Sequence, residues 1–233
     1  MGTKSTMKPP AKPARDKPAS EFAPARPDVR DEEILRAALE VFSEKGFHGA
    51  TMLEVANRAR ASKSTLYMRF ENKEVLFTAL IAWGTRQGTE ALEAIVRDDT
   101  LDPLTALHRY AACLLRLMMQ PDKLALFRIA LGEGDRLPEL GKIFSRFTRD
   151  HGVKLGHVLA TRLVREGLIE IDNPDDYGHS FMGLLQGELY LATLLGTIPR
   201  PSDKAIEHHA RRAMARLIRA FAPIRKSSRA RQS

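Results

Sequence analysis

The residues of this chain best suited to acting on another molecule lie in one run, TMLEVANRARASKSTLYMRF, from Thr51 to Phe70. They are hydroxyls (Thr51, Ser62, Ser64, Thr65, Tyr67) and cations (Arg58, Arg60, Lys63, Arg69), set among apolar residues at helical spacing. Hydroxyls and cations in that mixture make hydrogen bonds to base edges and phosphates rather than covalent chemistry. Between Ala56 and Lys73 five cations, Arg58, Arg60, Lys63, Arg69 and Lys73, stand against Glu71 alone, which is the sign that phosphate binding requires.

Two short helices joined by a tight turn must hold these side chains. Thr51 is a good N-cap, and Glu54 three residues on completes a capping box in which each side chain serves a backbone N–H left free at the helix start. Val55, Ala56 and Ala59 make one small apolar stripe, and Ser62 offers a second N-cap before Leu66 and Phe70, four residues apart. Rotating about 100° per residue from that buried pair turns Ser64, Thr65 and Met68 outward and leaves Tyr67 and Arg69 on the flanks. A helix so arranged in a major groove brings its outward residues to base edges and its flanks to the sugar-phosphate walls.

The opening Ile34 to Phe47 and the run STLYMRFENKEVLF from Ser64 to Phe77 resemble the DNA-binding domain of the TetR/AcrR family of bacterial transcriptional regulators. The resemblance covers roughly Asp28 to Gly88. It implies a three-helix head in which Lys63 to Phe70 is the recognition helix and Lys73 opens the next helix against a phosphate, so that the DNA-binding set is Thr51, Lys63, Ser64, Thr65, Tyr67, Met68, Arg69 and Lys73. Two positions depart from the family pattern. Arg60 stands where glycine is usual, at a cost of roughly 1 kcal/mol if it is left-handed, and Leu53 stands where a polar or basic residue is common.

Length and composition set the frame for this head. The 233 residues suffice for one or two domains with a substantial core. The formal charge of +8 belongs to the two ends. Residues 1–27 carry Lys4, Lys8, Lys12, Arg15, Lys17 and Arg26 against Asp16 and Glu21, with six prolines, and are expected to be a disordered basic arm. Residues 223–233 add Arg225, Lys226, Arg229 and Arg231 as a basic disordered tail. The body between is neutral in sum, so DNA affinity comes from a local patch and basic arms rather than a uniformly cationic surface. One cysteine, Cys113, offers no intrachain disulfide, and the most apolar stretch, Phe181 to Ile198, contains Gln186 and Glu188; a cytoplasmic protein with no membrane span is expected.

Beyond the head the expected fold class is all-α: the three-helix helix-turn-helix head, taken as 28–88, is followed by a larger helical ligand-binding and dimerisation domain over 89–222. Asp28 to Lys45 reads as the first helix, ending at Gly46. Asn72 caps a fourth, expected to run from Lys73 to about Val96 and to link head and body through Trp83. Asp102-Pro103 and Pro121 open two more. The text from Leu124, with its Leu137-Pro138-Glu139-Leu140 break before a long helix toward Glu166, resembles the family's regulatory domain more loosely. Helices over Pro174 to Gly196 and Ser202 to Phe221 close the chain. Gly183 and Gly187 in the first allow close helix approach, and Ile206, Ala210, Ala213, Met214, Leu217 and Phe221 in the second repeat near heptad spacing. Spacing fits a monomer core as well as a subunit interface; the resemblance implies a four-helix bundle across a two-fold axis, hence a homodimer on a roughly palindromic double-stranded operator.

The same resemblance implies a cavity for a small-molecule effector, with candidates Trp83, Met118, Phe127, Phe144, Phe147, Phe181, Gln186 and Tyr190. Such residues build solid cores as readily as pockets; a pocket made of them suits an apolar or aromatic ligand. No metal or nucleophile motif competes. His208 and His209 are adjacent and so point apart, His151 and His157 are six apart, the acids before His179 suit a helix start, and Cys113 sits among aliphatics. No cofactor is expected. The leading expectation is a ligand-responsive transcriptional repressor; the alternatives are a helical carrier or enzyme on this scaffold, and an architectural DNA binder without a ligand.

Overall fold

Side chains at the helix starts fix where each helix begins. Asp28, Thr51, Ser62, Asn72, Asp102, Asn173 and Ser202 each accept a hydrogen bond from a first-turn backbone N–H, satisfying donors that the helix itself leaves free. The structure, a computed structural model, describes residues 27–132 and 155–223, and every regular element among them is helical. The elements are α1 (Val29–Gly49), α2 (Met52–Arg58), α3 (Lys63–Arg69), α4 (Lys73–Arg86), α5 (Thr89–Arg97), α6 (Pro103–Met118) and α7 (Pro121–Gly132). Residues 155–165 form α8, followed by α9 (Pro174–Leu195) and α10 (Asp203–Ala220). The expected N-terminal arm through residue 26, the LPEL break, Phe144, Phe147, His151 and the tail from residue 224 lie outside the described residues.

Two apolar cores organise the chain. The head core gathers Ile34, Leu35, Val41 and Phe42 of α1, Val55 of α2, Leu66 of α3 and Leu76, Phe77 and Leu80 of α4, with the Phe42, Phe47 and Phe77 rings 5.3–5.7 Å apart in tilted and edge-on contacts. The body core joins α5, α6, α8, α9 and α10 through Leu92, Leu107, Tyr110, Leu115, Leu159, Leu163, Leu185, Ile206 and Met214. Helix α7 belongs to both: Leu126 and Ile129 pack into the head, whereas Leu124 is part of the body core and Phe127 packs against it.

Several boundaries differ from the sequence expectation. Helix α1 continues across a kink at Gly46 to Gly49. The expected long fourth helix is broken: α4 stops at Arg86, and Gly88, left-handed at φ 84, starts α5. A Cβ there would lie 2.7 Å from Leu117 Cδ1, so a larger residue is strained by the backbone angle and also requires the Leu117 side chain to move. Helix α9 is kinked at Gly187 (φ 47), where His209 Nε2 lies 2.8 Å from the Leu185 carbonyl oxygen. Gly187 therefore permits a bend and the seating of His209 within the chain; a Cβ would approach His209 Cε1 to 3.3 Å. Gly183 faces open space.

Candidate nucleic-acid interface

The turn between α2 and α3 sets the geometry of the head. Ala61 N–H donates to Ala56 O (2.8 Å) and Arg60 N–H to Asn57 O (3.1 Å), the paired bonds of a Schellman ending. The position between them, usually glycine, holds Arg60 at φ 50. Arg30 of α1 secures this turn by donating from Nη2 to the Arg60 carbonyl at 2.8 Å. At the other end of α2, Thr51 and Glu54 form the reciprocal capping box. A hydrogen bond from Lys45 is the first cause, ahead of those from Thr51, that takes the Glu54 carboxyl down to about 2.

Helix α3 turns Lys63, Ser64, Tyr67 and Met68 outward. Met68 is 79% exposed and Tyr67 43%, while Leu66 and Phe70 are buried in the head core. Ser64 is exposed and Thr65 half-buried, their hydroxyls lying 2.9 and 2.7 Å from Ser62 Oγ. Lys63 Nζ stands 5.8 Å from the centroid of the Tyr67 ring, which orders both at one edge of the surface. Leu53 is also exposed, so the outer face of α2 carries an apolar side chain at the position where a polar or basic residue is common.

The cations divide differently from their sequence expectation. Arg69 does not stand free on the flank: its Nη1 pairs with Asp28 (2.8 Å) and Asp31 (2.6 Å), tying the end of α3 to the start of α1. Its hydrogen bond holds the Asp28 carboxyl below the ordinary range, while the Arg69 Nε is buried without a partner. Lys73 turns back over the Phe47 ring, 4.7 Å from its centroid, and donates to the carbonyls of His48 (3.3 Å) and Ala50 (3.0 Å). Two of its three donors thus hold the end of α1, and its role in this conformation is positional. Arg58 pairs with Glu40 (3.0 Å) and Glu44 (2.8 Å). Arg60 and Lys63 have no carboxylate partner among the described residues. Ion pairs between α1 and the motif were invisible in sequence because the acids lie about 14 to 41 positions away.

The described apolar members of the proposed effector set are distributed over the two cores. Trp83 packs in the head core with Leu126 and Ile129, its indole Nε1 buried without a partner. Phe127 and Tyr190 stack edge-on at 6.1 Å in the body, where burial pushes the Tyr190 phenol up to about 12. Phe181 is buried against Tyr110, Met118 borders the same core, and Gln186 is half-buried. Two cations missed in sequence tie the helices around them. Lys123 of α7 donates to the Gly84 carbonyl of α4, and Arg128 of α7 donates to the Thr193 (3.0 Å) and Leu194 (2.7 Å) carbonyls of α9. A long cation on an amphipathic helix reads in sequence as a solvated residue, which is why neither drew notice.

The heptad-like stripe of α10 lies against helices of the same chain. Ile206, Ala210, Ala213, Met214 and Leu217 are 0–2% exposed, packed within this one chain against α6 and α9, and Phe221 stacks on Tyr177 at 5.3 Å. In this chain they complete the body core. Exposed apolar side chains nearby are instead Leu191 and Leu195 of α9 and Val158 and Val164 of α8. Among the described residues no three potential metal ligands cluster, and no helix is long and apolar enough to cross a membrane.

A rigid helix-turn-helix with an outward hydroxyl and aromatic face, joined through α4 and α7 to a helical body, defines a DNA-binding transcriptional regulator. Residues 34–80 match the bacterial regulatory proteins of the tetR family, and residues 105–223 match the C-terminal domain of the AefR-like transcriptional repressors. The chain belongs to the TetR family of transcriptional regulators. It is 25% identical over 180 residues, 76% of this chain and 92% of the relative, to the HTH-type transcriptional regulator YvkB of Bacillus subtilis strain 168. A TetR-family regulator from Mesorhizobium loti MAFF303099 superposes with a TM-score of 0.73 at 23% identity, covering 89% of this chain and all of that one. The flavonoid-responsive regulator FrrA gives a TM-score of 0.66 at 27% identity over 83% of this chain and 97% of its own.

Proposed function

We propose that this regulator is a repressor that binds a roughly palindromic operator as a homodimer and is released by a small, largely apolar effector. The observation that carries the effector part is α7, which contributes Leu126 and Ile129 to the head core, Leu124 to the body core and Phe127 beside it. Through Lys123 it holds α4 and through Arg128 the end of α9, so a ligand that repacks the body around Phe127 and Tyr190 shifts α4 and the recognition helix with it. That route replaces one running along a single long helix through Trp83. The match of residues 105–223 to a repressor C-terminal domain favours repression. The dimer surface on this reading is the exposed face of α8 and α9, with Val158, Leu191, Leu195 and the open side of Gly183; Gly187 serves the bend. In the recognition helix Ser64, Thr65 and Met68 read bases, and Lys63 and Tyr67 meet the phosphate walls.

A ligand shifts operator affinity only by its differential affinity for the two conformations, commonly about 1–3 kcal/mol. Planar aromatic compounds, flavonoids among them, form the first library, because a related regulator responds to flavonoids. Calorimetry of each binder with and without operator tests the proposal. Ligand affinity reduced by operator by the same factor as operator affinity is reduced by ligand supports it; equal affinities for every binder refute it.

A further inference from the structure

The recognition helix has few side chains able to identify a base by hydrogen bonds. A guanine is distinguished by paired donation from arginine or lysine, an adenine by asparagine or glutamine, and a cytosine by a carboxylate. Helix α3, KSTLYMR, contains no side-chain amide and no acid. Its arginine, Arg69, is held by Asp28 and Asp31, and Lys63 stands beside the Tyr67 ring at one edge. The hydroxyls are shared with the cap: Ser62 Oγ accepts from the Thr65 N–H (3.0 Å) and lies 2.9 and 2.7 Å from Ser64 Oγ and Thr65 Oγ1. Serine and threonine hydroxyls pair with more than one base and discriminate weakly.

Met68 occupies the centre of the outward face. It lies about 200° around the helix from both Leu66 and Phe70, and so opposite the buried pair, with Ser64 and Thr65 about 40° and 60° to either side of it. Its side chain is 79% exposed. A thioether chain is flexible and polarizable and offers contact surface rather than a strong donor or acceptor. The major groove presents one apolar group to such a side chain, the C5 methyl of thymine. Lys63 on the same helix and Arg60 in the turn before it have no carboxylate partner among the described residues, which suits a polyanion rather than the apolar face of another protein. We propose that Met68 is the specificity-determining residue of α3 and reads a thymine in each half-site by packing against its methyl group. This rests on the reading of the head as a DNA-binding unit.

The test uses the full chain and the duplex it selects from a random pool. Each thymine of the half-site is replaced in turn, at the equivalent places of both half-sites, by deoxyuridine, which keeps every hydrogen-bonding group of thymidine and lacks the methyl. Affinities are read by fluorescence anisotropy at one salt concentration. One position should respond: a buried methyl contact is worth roughly fourfold, so its loss from both half-sites should weaken binding by about 15-fold. Met68→Ala should bind the thymine and uracil duplexes alike. Thr65→Ser, which removes only a methyl group from the neighbouring side chain, should keep the preference for thymine. Thermal unfolding of Met68→Ala should match that of the unmodified protein, because the side chain is exposed. A half-site in which no thymine responds to loss of its methyl overturns the proposal while leaving the head's role intact. A response that persists in Met68→Ala also overturns it, and its disappearance in Thr65→Ser would then assign the methyl contact to Thr65. Failure to enrich any duplex refutes the reading of the head as a DNA-binding unit and this proposal with it.

Discussion

Replacing Arg60 by glycine should stabilise the protein and weaken its hold on DNA at the same time. Arg60 sits at φ 50 between the two bonds of the Schellman ending, where an L side chain strains the backbone by about 1–2 kcal/mol. Glycine removes that strain but brings back roughly 0.4–1 kcal/mol of unfolded-chain freedom. The Arg30 hydrogen bond to the residue 60 carbonyl is to backbone and survives. The net gain is about 0.5–1 kcal/mol, which for a chain of this size raises Tm by roughly 1–4 °C. Arg60, like Lys63, also has no carboxylate partner among the described residues, so its loss should reduce the salt slope of DNA binding by about 1. Differential scanning calorimetry and anisotropy titration on one preparation give both numbers. A fall in Tm would show that the arginine side chain contributes more than its backbone costs and would refute the strain argument; an unchanged salt slope would remove Arg60 from the interface.

Other outcomes follow from the same contacts. Arg69→Gln should lower Tm and DNA affinity together by freeing the end of α3 from α1, and adding Asp31→Asn should recover part of the stability; a double variant no better than the single would show that the clamp is not cooperative. Glu54, Asp28 and Glu44 all have lowered carboxyl pKa values from their cation partners, first among them Lys45, Arg69 and Arg58. Because these folded-state values lie below the unfolded ones, their contribution is complete above the ordinary carboxylate value of 4.5 and is lost as pH falls from there toward about 2. Tm should be flat down to about pH 5 and then drop, less steeply in Glu54→Gln; a parallel drop in that variant would contradict the assignment. Leu191→Asp with Leu195→Asp should yield monomers by sedimentation, since burying a leucine is worth roughly 1.5–3 kcal/mol, so the dimer should weaken at least about 100-fold; an unchanged dimer would move the interface elsewhere.

How much could be read in the sequence depended on how local the determining interaction is. The head was legible because its signals act within a turn of helix: Thr51 with Glu54, Ser62 with Thr65, and Leu66 with Phe70 each specify a start or a face on their own. The left-handed turn at Arg60 was also foreseeable from its place between two helices. The partners of Arg69, Lys73 and Arg58 were not, since they come from α1 and its end, brought near only by folding. The α10 stripe shows the limit of periodicity. Ile206, Ala210, Met214 and Leu217 had to be buried, but whether by α6 and α9 or by another subunit is a tertiary fact. Gly187 was noticed for its small size, yet its positive φ and the neighbouring His209 ring answer to a bend that a four-residue glycine spacing does not encode.

The claim on which the rest depends is sequence-specific recognition of duplex DNA by α3, and selection from a random duplex pool by the purified full-length protein tests it most directly. The account predicts enrichment of two inverted half-sites with centres about 10–10.5 base pairs, or a multiple of that, apart. It also predicts that Thr65→Ala alters the enriched bases within the half-site without altering their spacing. Recovery of unenriched sequence, or of the same site by wild type and by a protein carrying Ser64→Ala, Thr65→Ala and Met68→Ala together, would contradict it.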